Sequence, residues 1–210
     1  MIVAIDGPAG AGKSTVARQL AERLEFRYLD TGAMYRALTW LAINRGVPLA
    51  DGERLGQLAA DNPVLLDERN RVSIAGTDVT SSIRKSEIDR LVPVVARHRQ
   101  VREVMRERQR DLADNGSVVI EGRDIGTVVA PQAEVKVYLN AQRDVRAQRR
   151  QAERPDIGAD ALATDLRLRD ESDAARMQPA EDAIRIDTTE LDVDDVVAQI
   201  EELVRARQPA

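Results

Sequence analysis

The chain has 210 residues and a formal net charge of −5, with one histidine and no cysteine. This composition excludes disulfide bonds, thiol catalysis and metal sites built from cysteines or clustered histidines. Only one Trp, three Tyr and one Phe are present, so we do not expect a basic surface with stacking platforms for nucleic acid.

Arginines are clustered despite the acidic balance, and their planar forks bind phosphate groups. We therefore expect anionic small molecules as ligands. The sequence has no apolar run of about 18 residues, and it enters its first strand without a signal-peptide pattern. These features predict a soluble cytoplasmic protein that contacts no membrane, and nothing in the sequence requires more than a monomer.

A phosphate-binding loop follows the first predicted strand. Residues 2–5 are consecutive apolar residues, and residues 7–14 match the pattern G-x-x-x-x-G-K-[ST] before a helical stretch. Glycines let successive N–H groups point at an anion, where the helix adds its positive N-terminal end. Lys13 is expected to reach the β and γ phosphates of ATP, and the Ser14 hydroxyl to ligate Mg²⁺. The predicted ATP-binding residues are Gly7, Pro8, Ala9, Gly10, Ala11, Gly12, Lys13, Ser14 and Thr15.

Strands and helices alternate along the rest of the chain, which is typical of a parallel sheet flanked by helices. The predicted strands lie around residues 2–5, 26–30, 118–122, 135–139 and 183–189. The predicted helices after the first lie around residues 31–44, 49–60, 87–113 and 192–204. The longest of these places His98 on an apolar stripe, so we interpret His98 as a packed histidine rather than a catalytic group.

A small antiparallel insertion is predicted at residues 62–84, where two extended runs flank a turn. The remainder, residues 1–61 and 85–210, is predicted to be one α/β core. Ligands of such sheets bind at the carboxyl ends of the strands. Loops at 7–14, 30–36, 122–126 and 188–189 are therefore expected to meet in one cleft.

Several internal motifs resemble bacterial cytidylate kinases, and the likeness covers nearly the whole chain. They are Tyr28 to Arg36, Glu121 to Val129, Arg169-Asp170 through Asp173 and Arg176, and Ile186 to Thr189. The resemblance implies a P-loop kinase fold with a five-stranded parallel sheet, a small antiparallel insertion in the region that binds the nucleoside monophosphate, and a helical lid. It also implies transfer of phosphate from ATP to CMP or dCMP with Mg²⁺.

The resemblance carries roles to individual positions. Arg36 and Arg123 would clamp the CMP phosphate, and Asp124 would accept a hydrogen bond from the cytosine amino group, the contact by which acids read that base. Thr31, Arg102 and Arg176 would bind near the nucleotide or its base, and Arg169 and Asp173 would hold the sugar. Many members carry a serine that touches the base on the helix before Arg102, where this chain has Pro93. Either a nearby group replaces that contact, or the contact is dispensable and selectivity rests more heavily on Asp124 and Arg176.

The lid is predicted at about residues 143–158, with Arg146, Arg149 and Arg150 as candidates to neutralise charge on ATP. The predicted catalytic residues are Lys13, Arg123, Arg146 and Arg149. Alternatively, the arginine run is a solvated helix face, and the segment at 121–124 is a simple strand-ending turn.

Two other functions stay open. One is a different small-molecule P-loop kinase, for another nucleoside monophosphate, gluconate, shikimate or dephospho-coenzyme A. Kinases for guanylate or uridylate would not need the pair of Asp124 and Arg176. The second is a nucleotide-binding regulator or RNA-associated P-loop protein, which would predict a broad basic surface or aromatic platforms.

Overall fold

The computed structural model describes residues 1–67, 69–155, 157–174 and 177–207. The helices are α1 (Lys13–Leu24), α2 (Thr31–Asn44), α3 (Gly52–Asp61), α4 (Ser86–Ala96), α5 (Arg99–Ala113), α6 (Arg143–Glu153), α7 (Ala159–Asp173) and α8 (Val193–Arg205). The strands are β1 (Ile2–Asp6), β2 (Arg27–Asp30), β3 (Leu65–Leu66), β4 (Val72–Ile74), β5 (Thr77–Asp78), β6 (Val118–Gly122), β7 (Val135–Asn140) and β8 (Ile184–Asp187). None of the helices formed by these residues is long and apolar enough to cross a membrane.

Five strands form the main sheet in the order β2-β6-β1-β7-β8. The central strand β1 pairs in parallel with β6 on one side and β7 on the other, and β7 pairs in parallel with β8. All five residues of β1 are buried, as expected for a strand covered on both faces of a parallel sheet. The predicted five-stranded parallel sheet is confirmed.

A continuous apolar core lies where α1 and α8 pack together beside the sheet. Leu20 of α1 and Ile200 of α8 are fully buried in it together with Val3 and Ile5 of β1. The N-terminus of α8 is capped by Asp192, whose side chain accepts the N–H of Asp195, a favourable end for a helix. This packing fixes β1 and α1, the two elements that flank the phosphate loop.

The chain divides into two compact units, one formed by Met1–Tyr28 with the described residues of Gly116–Ala210, and the other by Leu29–Asn115. The first unit contains the apolar core and the phosphate loop. The second contains α2 to α5 and a three-stranded antiparallel sheet in the order β3-β4-β5. In that sheet Leu66 pairs with Val72, and Ile74 pairs with Thr77, so the predicted antiparallel insertion is present.

The single helix predicted for residues 87–113 is wrong, because the structure contains two helices, α4 and α5, that are separated at Arg97 and His98. His98 has an extended backbone at the start of α5, and its Nε2 lies 2.8 Å from the carbonyl oxygen of Leu49. Its ring is half-buried rather than enclosed in the core. A Cβ added to Gly52 would lie 2.6 Å from His98 Nδ1, so the glycine makes room for this contact.

Candidate active site

The phosphate loop depends on three glycines. Gly10 and Gly12 have φ angles of 79° and 88°, in the left-handed region that other residues rarely adopt. At Gly7 the constraint is space, because an added Cβ would lie 2.1 Å from the carbonyl oxygen of Leu139 in β7. The loop is therefore packed tightly against the sheet, and its last glycine caps α1.

Lys13 lies at the start of α1 with only 7% of its surface exposed. Its ammonium group donates a 2.7 Å hydrogen bond to the carbonyl oxygen of Pro8, within the loop. Burial, followed by the nearby charge of Arg123, lowers the pKa of Lys13 to about 7. The next two side chains, Ser14 and Thr15, are exposed in the first turn of the helix. The loop thus presents a hydroxyl to solvent beside a desolvated ammonium group, which an anion would stabilise in its charged form.

Arg146 of α6 is buried and fastens the phosphate loop. Its Nη1 donates to the carbonyl oxygen of Ala9 at 3.1 Å, and its Nε donates to that of Ala141 at 3.1 Å. Its two terminal nitrogens also form a bidentate pair with Asp170 of α7, at 3.0 and 2.8 Å. Such a pair fixes the guanidinium in one orientation. The sequence alone predicted Arg146 as a lid residue and did not identify Asp170 as its partner.

Arg149, one turn later on α6, lies against the loop that follows β8. Its Nη1 donates to the hydroxyl of Thr188 at 2.9 Å, and its Nη2 donates to the carbonyl oxygen of the same residue at 2.6 Å. Thr188 is itself buried and bonded to the carbonyl oxygen of Asn140. The neighbouring candidate Arg150 forms a 2.8 Å ion pair with Glu153 on its own helix. Arg149 is therefore tied to the sheet, whereas Arg150 pairs along the helix surface.

Arg123 follows β6 and joins three parts of the first unit. Its Nε donates to Asp173 at the end of α7 at 2.9 Å, and its Nη1 donates to the carbonyl oxygen of Gly7 at 2.8 Å. The sequence predicted both Arg123 and Asp173 as substrate-binding residues, and the structure brings them into contact. Asp124 and Arg169 are half-buried. The remaining predicted residue of this group, Arg176, lies outside the described residues.

Asp6, the last residue of β1, is a buried carboxylate that was not predicted from the sequence. It accepts hydrogen bonds from the backbone N–H groups of Ile125 and Gly126, each at 2.8 Å. Burial raises the pKa of Asp6 to about 6 even though both N–H groups favour the charged form. An acidic residue at the end of an apolar strand was the available signal. Asp6 holds the loop that carries Arg123 and Asp124 against the strand that leads into the phosphate loop.

The raised pKa of Asp6 makes a testable contribution to stability. Because the folded protein holds this proton more tightly than the unfolded chain, the contribution is fully present below pH 3.8 and is lost as the pH rises through about 6. We expect the unfolding free energy of Asp6→Asn, relative to wild type, to rise by about 2 kcal/mol between pH 4 and pH 6.5. Urea unfolding at several pH values measures this difference.

The exposed Asp144→Asn variant is the control for this prediction. Asp144 lies in the first turn of α6. A difference between Asp6→Asn and wild type that does not change with pH would show that Asp6 is charged at all these pH values and would refute the prediction.

Thr31 and Arg36, which were predicted to bind CMP, lie in the first two turns of α2, next to Asp30. Asp30 caps the helix by accepting the N–H of Ala33 at 2.8 Å, and it pairs with Arg36 at 2.8 Å. Burial alone would raise the pKa of Asp30, but the charges of Arg36 and Arg84 outweigh it and lower that pKa. Thr31, the first residue of α2, is also buried. Arg36 is therefore held by a carboxylate that stays ionised.

Arg102 is on α5, and its side chain bonds to the backbone between α4 and α5. Its Nη1 donates to the carbonyl oxygen of Arg97 at 2.8 Å. Its Nε is buried and has no hydrogen-bond partner within the described ranges. Pro93 is accommodated inside α4, where it offers no N–H and no hydroxyl. This segment thus combines an arginine whose buried Nε makes no hydrogen bond within the described ranges with a proline in the preceding helix.

A metal ion would have few protein ligands at the phosphate loop. Across the described residues, no group of three or more His, Cys, Asp and Glu side chains is arranged to hold a metal. Mg²⁺ typically binds through one or two protein groups, substrate phosphates and water. The exposed hydroxyl of Ser14 fits that arrangement, with the other ligands supplied by the nucleotide and solvent.

A model of the cytidylate kinase family matches residues 3–206 of the chain. The curated cytidylate kinase of Exiguobacterium sibiricum is 46% identical over 212 residues, covering 96% of this chain and 95% of that protein. The cytidylate kinase of Bacillus subtilis is 44% identical over 216 residues, covering 98% of this chain and 96% of that protein.

Solved structures of other small-molecule kinases share the fold. Shikimate kinase from Bacteroides thetaiotaomicron superimposes with a TM-score of 0.53 at 16% identity, covering 98% of both chains. A gluconokinase from Sinorhizobium meliloti 1021 gives a TM-score of 0.54 at 16% identity, covering 98% of this chain and 92% of that one. These two likenesses concern the fold, whereas the sequence matches extend over the phosphate loop and the arginine-rich segments alike: the chain belongs to the cytidylate kinase family.

Proposed function

We infer that this protein transfers the γ-phosphoryl group of ATP to CMP or dCMP, giving ADP and CDP or dCDP. The observation that carries this proposal is a match to the cytidylate kinase family over residues 3–206 in a chain whose phosphate loop holds a desolvated lysine. The fold it shares with shikimate kinase and gluconokinase supports phosphoryl transfer to a small molecule.

On the ATP side, positioning and charge neutralisation are the main tasks of the protein. Phosphoryl transfer passes through a loose transition state whose charge lies on the transferring oxygens, and little covalent chemistry is left to the protein. Lys13 would contact the β and γ phosphates, where its ammonium regains a charged partner. Arg123, Arg146 and Arg149 would add positive charge around the same phosphates. No general base is needed, because the CMP phosphate is already an anionic nucleophile near neutral pH.

The hydrogen bonds of Arg146 and Arg123 support different parts for them in the reaction. Arg146 already uses its N–H groups on Asp170 and on loop carbonyl oxygens. It would therefore serve mainly to hold the loop, with its remaining donor directed at phosphate. Arg123 is held by Asp173 through one nitrogen, which would keep its fork oriented until the acceptor phosphate binds. Asp170 and Asp173 would thus orient these two arginines toward phosphate.

On the acceptor side, we assign Arg36 and Arg123 to the CMP phosphate, with Thr31 nearby. Arg169 and Asp173 would bind the sugar hydroxyls. Asp124 would accept from the cytosine amino group, and its half-buried position supports that role. Base recognition would be completed by Arg102, which has an unused buried donor, and by Arg176.

Mg²⁺ would be held through Ser14 and the ATP phosphates, and would neutralise charge on the transferring group. The segment at 143–158 would act as a lid that limits hydrolysis of ATP by water. Residues 62–84 would form an insertion in a core of residues 1–61 and 85–210. We further propose that the enzyme acts as a monomer, since its assigned residues are all supplied by one chain.

The proposed function is tested by ADP release from ATP and Mg²⁺ with CMP, dCMP, UMP, AMP, GMP and dTMP offered singly. A reaction without acceptor measures background hydrolysis. We expect CMP and dCMP to give the highest kcat/KM. If shikimate or gluconate stimulated ADP release and CMP did not, the acceptor assignment would be refuted and only the ATP site would survive.

A further inference from the structure

Arg84 is linked through a shared carboxylate to Arg36, the arginine assigned to the CMP phosphate. Its Nη2 lies 3.0 Å from Asp30 Oδ2, the same oxygen that Arg36 Nη2 contacts at 2.8 Å. Asp30 is buried, with 4% of its surface exposed, whereas the Arg84 side chain is 47% exposed. Two guanidinium groups therefore converge on one desolvated carboxylate at the start of α2.

The small antiparallel sheet delivers Arg84 to this position. Arg84 ends a single 3₁₀ turn, Ser82–Arg84, that follows β5. The turn is anchored by Ile83, which is fully buried and donates its N–H to the carbonyl oxygen of Val79 at 3.0 Å. Val79 in turn donates to the carbonyl oxygen of Val72 at 2.8 Å, in β4. The backbone that carries Arg84 is thus tied to the sheet.

The charge balance of this cluster matters for an anionic ligand. A single carboxylate between two guanidinium groups leaves one net positive charge, and the N-terminal end of α2 adds to it. Without Arg84, Asp30 and Arg36 would form a neutral pair. A buried carboxylate with fewer donors would also hold Arg36 more tightly, because Asp30 would need that bond to offset its desolvation.

We propose that Arg84 is a positioning residue for the acceptor phosphate: by sharing Asp30 it orients Arg36 and keeps the cluster positively charged. This inference rests on the proposed function, because it takes Arg36 as a ligand of the CMP phosphate. It also gives the small sheet a role, which is to supply the second guanidinium that Asp30 requires.

The first test is a steady-state comparison of Arg84→Gln with wild type. We expect the KM for CMP to rise about tenfold, because the charge-assisted contact of Arg36 with the CMP phosphate is weakened. The KM for ATP and kcat should stay within about twofold. Arg84→Lys should restore most of the loss, since it keeps the charge. The matched control is Arg71→Gln, which removes an exposed arginine just before β4, where it pairs with Asp67.

A double-mutant cycle separates action through Asp30 from direct contact with CMP. In an Asp30→Asn background, Arg84→Gln should change the KM for CMP by less than about twofold, because the shared carboxylate is gone. Additive effects, or an unchanged KM for CMP in the single variant with an intact thermal transition, would overturn the inference.

Failure of the inference and failure of the proposed function give different results. Without turnover of CMP by the wild type, the proposed function fails before any variant is made. With normal turnover, Arg36→Gln tests whether Arg36 binds the CMP phosphate. If the KM for CMP rises in Arg36→Gln but is unchanged in Arg84→Gln, only the positioning role of Arg84 is refuted. An unchanged KM in Arg36→Gln would remove the role on which the inference depends and overturn it too.

Discussion

Lys13→Gln is expected to lower kcat/KM for phosphoryl transfer by about 10³-fold, the scale of losing a preorganised charge at the transferring group. The same variant should not lose stability. The pKa of Lys13 falls from 10.5 to about 7 on folding, so the protonated lysine opposes folding by an amount on the order of a few kcal/mol. Glutamine keeps a donor for the Pro8 carbonyl oxygen and removes the buried charge.

The sign of the pH dependence follows from the direction of this shift. Because the folded pKa lies below the unfolded pKa, the cost of burying Lys13 is fully present below pH 7 and is relieved as the pH rises toward 10.5. Wild type should therefore gain stability relative to Lys13→Gln between pH 7 and pH 9. Urea unfolding measures this gain, and steady-state kinetics on the same preparations measure the loss of transfer.

The exposed Lys85→Gln variant is the control, because it removes the same charge from the protein surface. It should change neither the kinetics nor the pH dependence of unfolding. If Lys13→Gln lost activity and stability in proportion, the loss would reflect misfolding, and the assignment of Lys13 to the phosphates would be unsupported. Retained transfer would refute that assignment.

The features that were predicted correctly from the sequence are those whose signals lie in a few consecutive residues. The phosphate loop is a contiguous motif of eight residues, and β1 is a buried apolar run, so spacing and residue type suffice to identify both. The parallel sheet follows from the alternation of strands and helices. Likewise α2 was predicted over 31–44 from the local run of residues that opens it, and the structure confirms these bounds.

What the sequence did not reveal are contacts between residues far apart in the chain. Asp6 binds the N–H of Ile125 across 119 positions, and Arg84 reaches Asp30 across 54 positions. No local pattern marks such partners, since any of the many acids and arginines could pair with any other. The break in the helix at His98 was missed for a related reason, because its contact with Leu49 is set by tertiary packing rather than by a Gly or Pro signal.

Asp124→Asn should reduce the preference for CMP over UMP, expressed as the ratio of kcat/KM values, by about 100-fold. The carboxylate can only accept hydrogen bonds, so in the proposed site it would pair with the cytosine amino group and would face an acceptor in uracil. An asparagine presents both an oxygen and an NH₂ group and can satisfy either base. Activity with CMP should therefore fall, whereas activity with UMP should rise or stay constant.

The expected size of this effect follows from the surroundings of Asp124. A fully enclosed site that hydrogen-bonds a substrate group can lower kcat/KM by about 10⁴ for an analogue that lacks the group. Asp124 is only half-buried, so water can partly solvate its carboxylate when uracil is bound. Pro93 supplies no hydroxyl, and under the proposed function selectivity would rest more heavily on Asp124 and Arg176. The exposed Asp160→Asn variant on α7 is the control, and its ratio should equal that of wild type. An unchanged ratio in Asp124→Asn would instead assign base discrimination to Arg102 and the segment around Pro93.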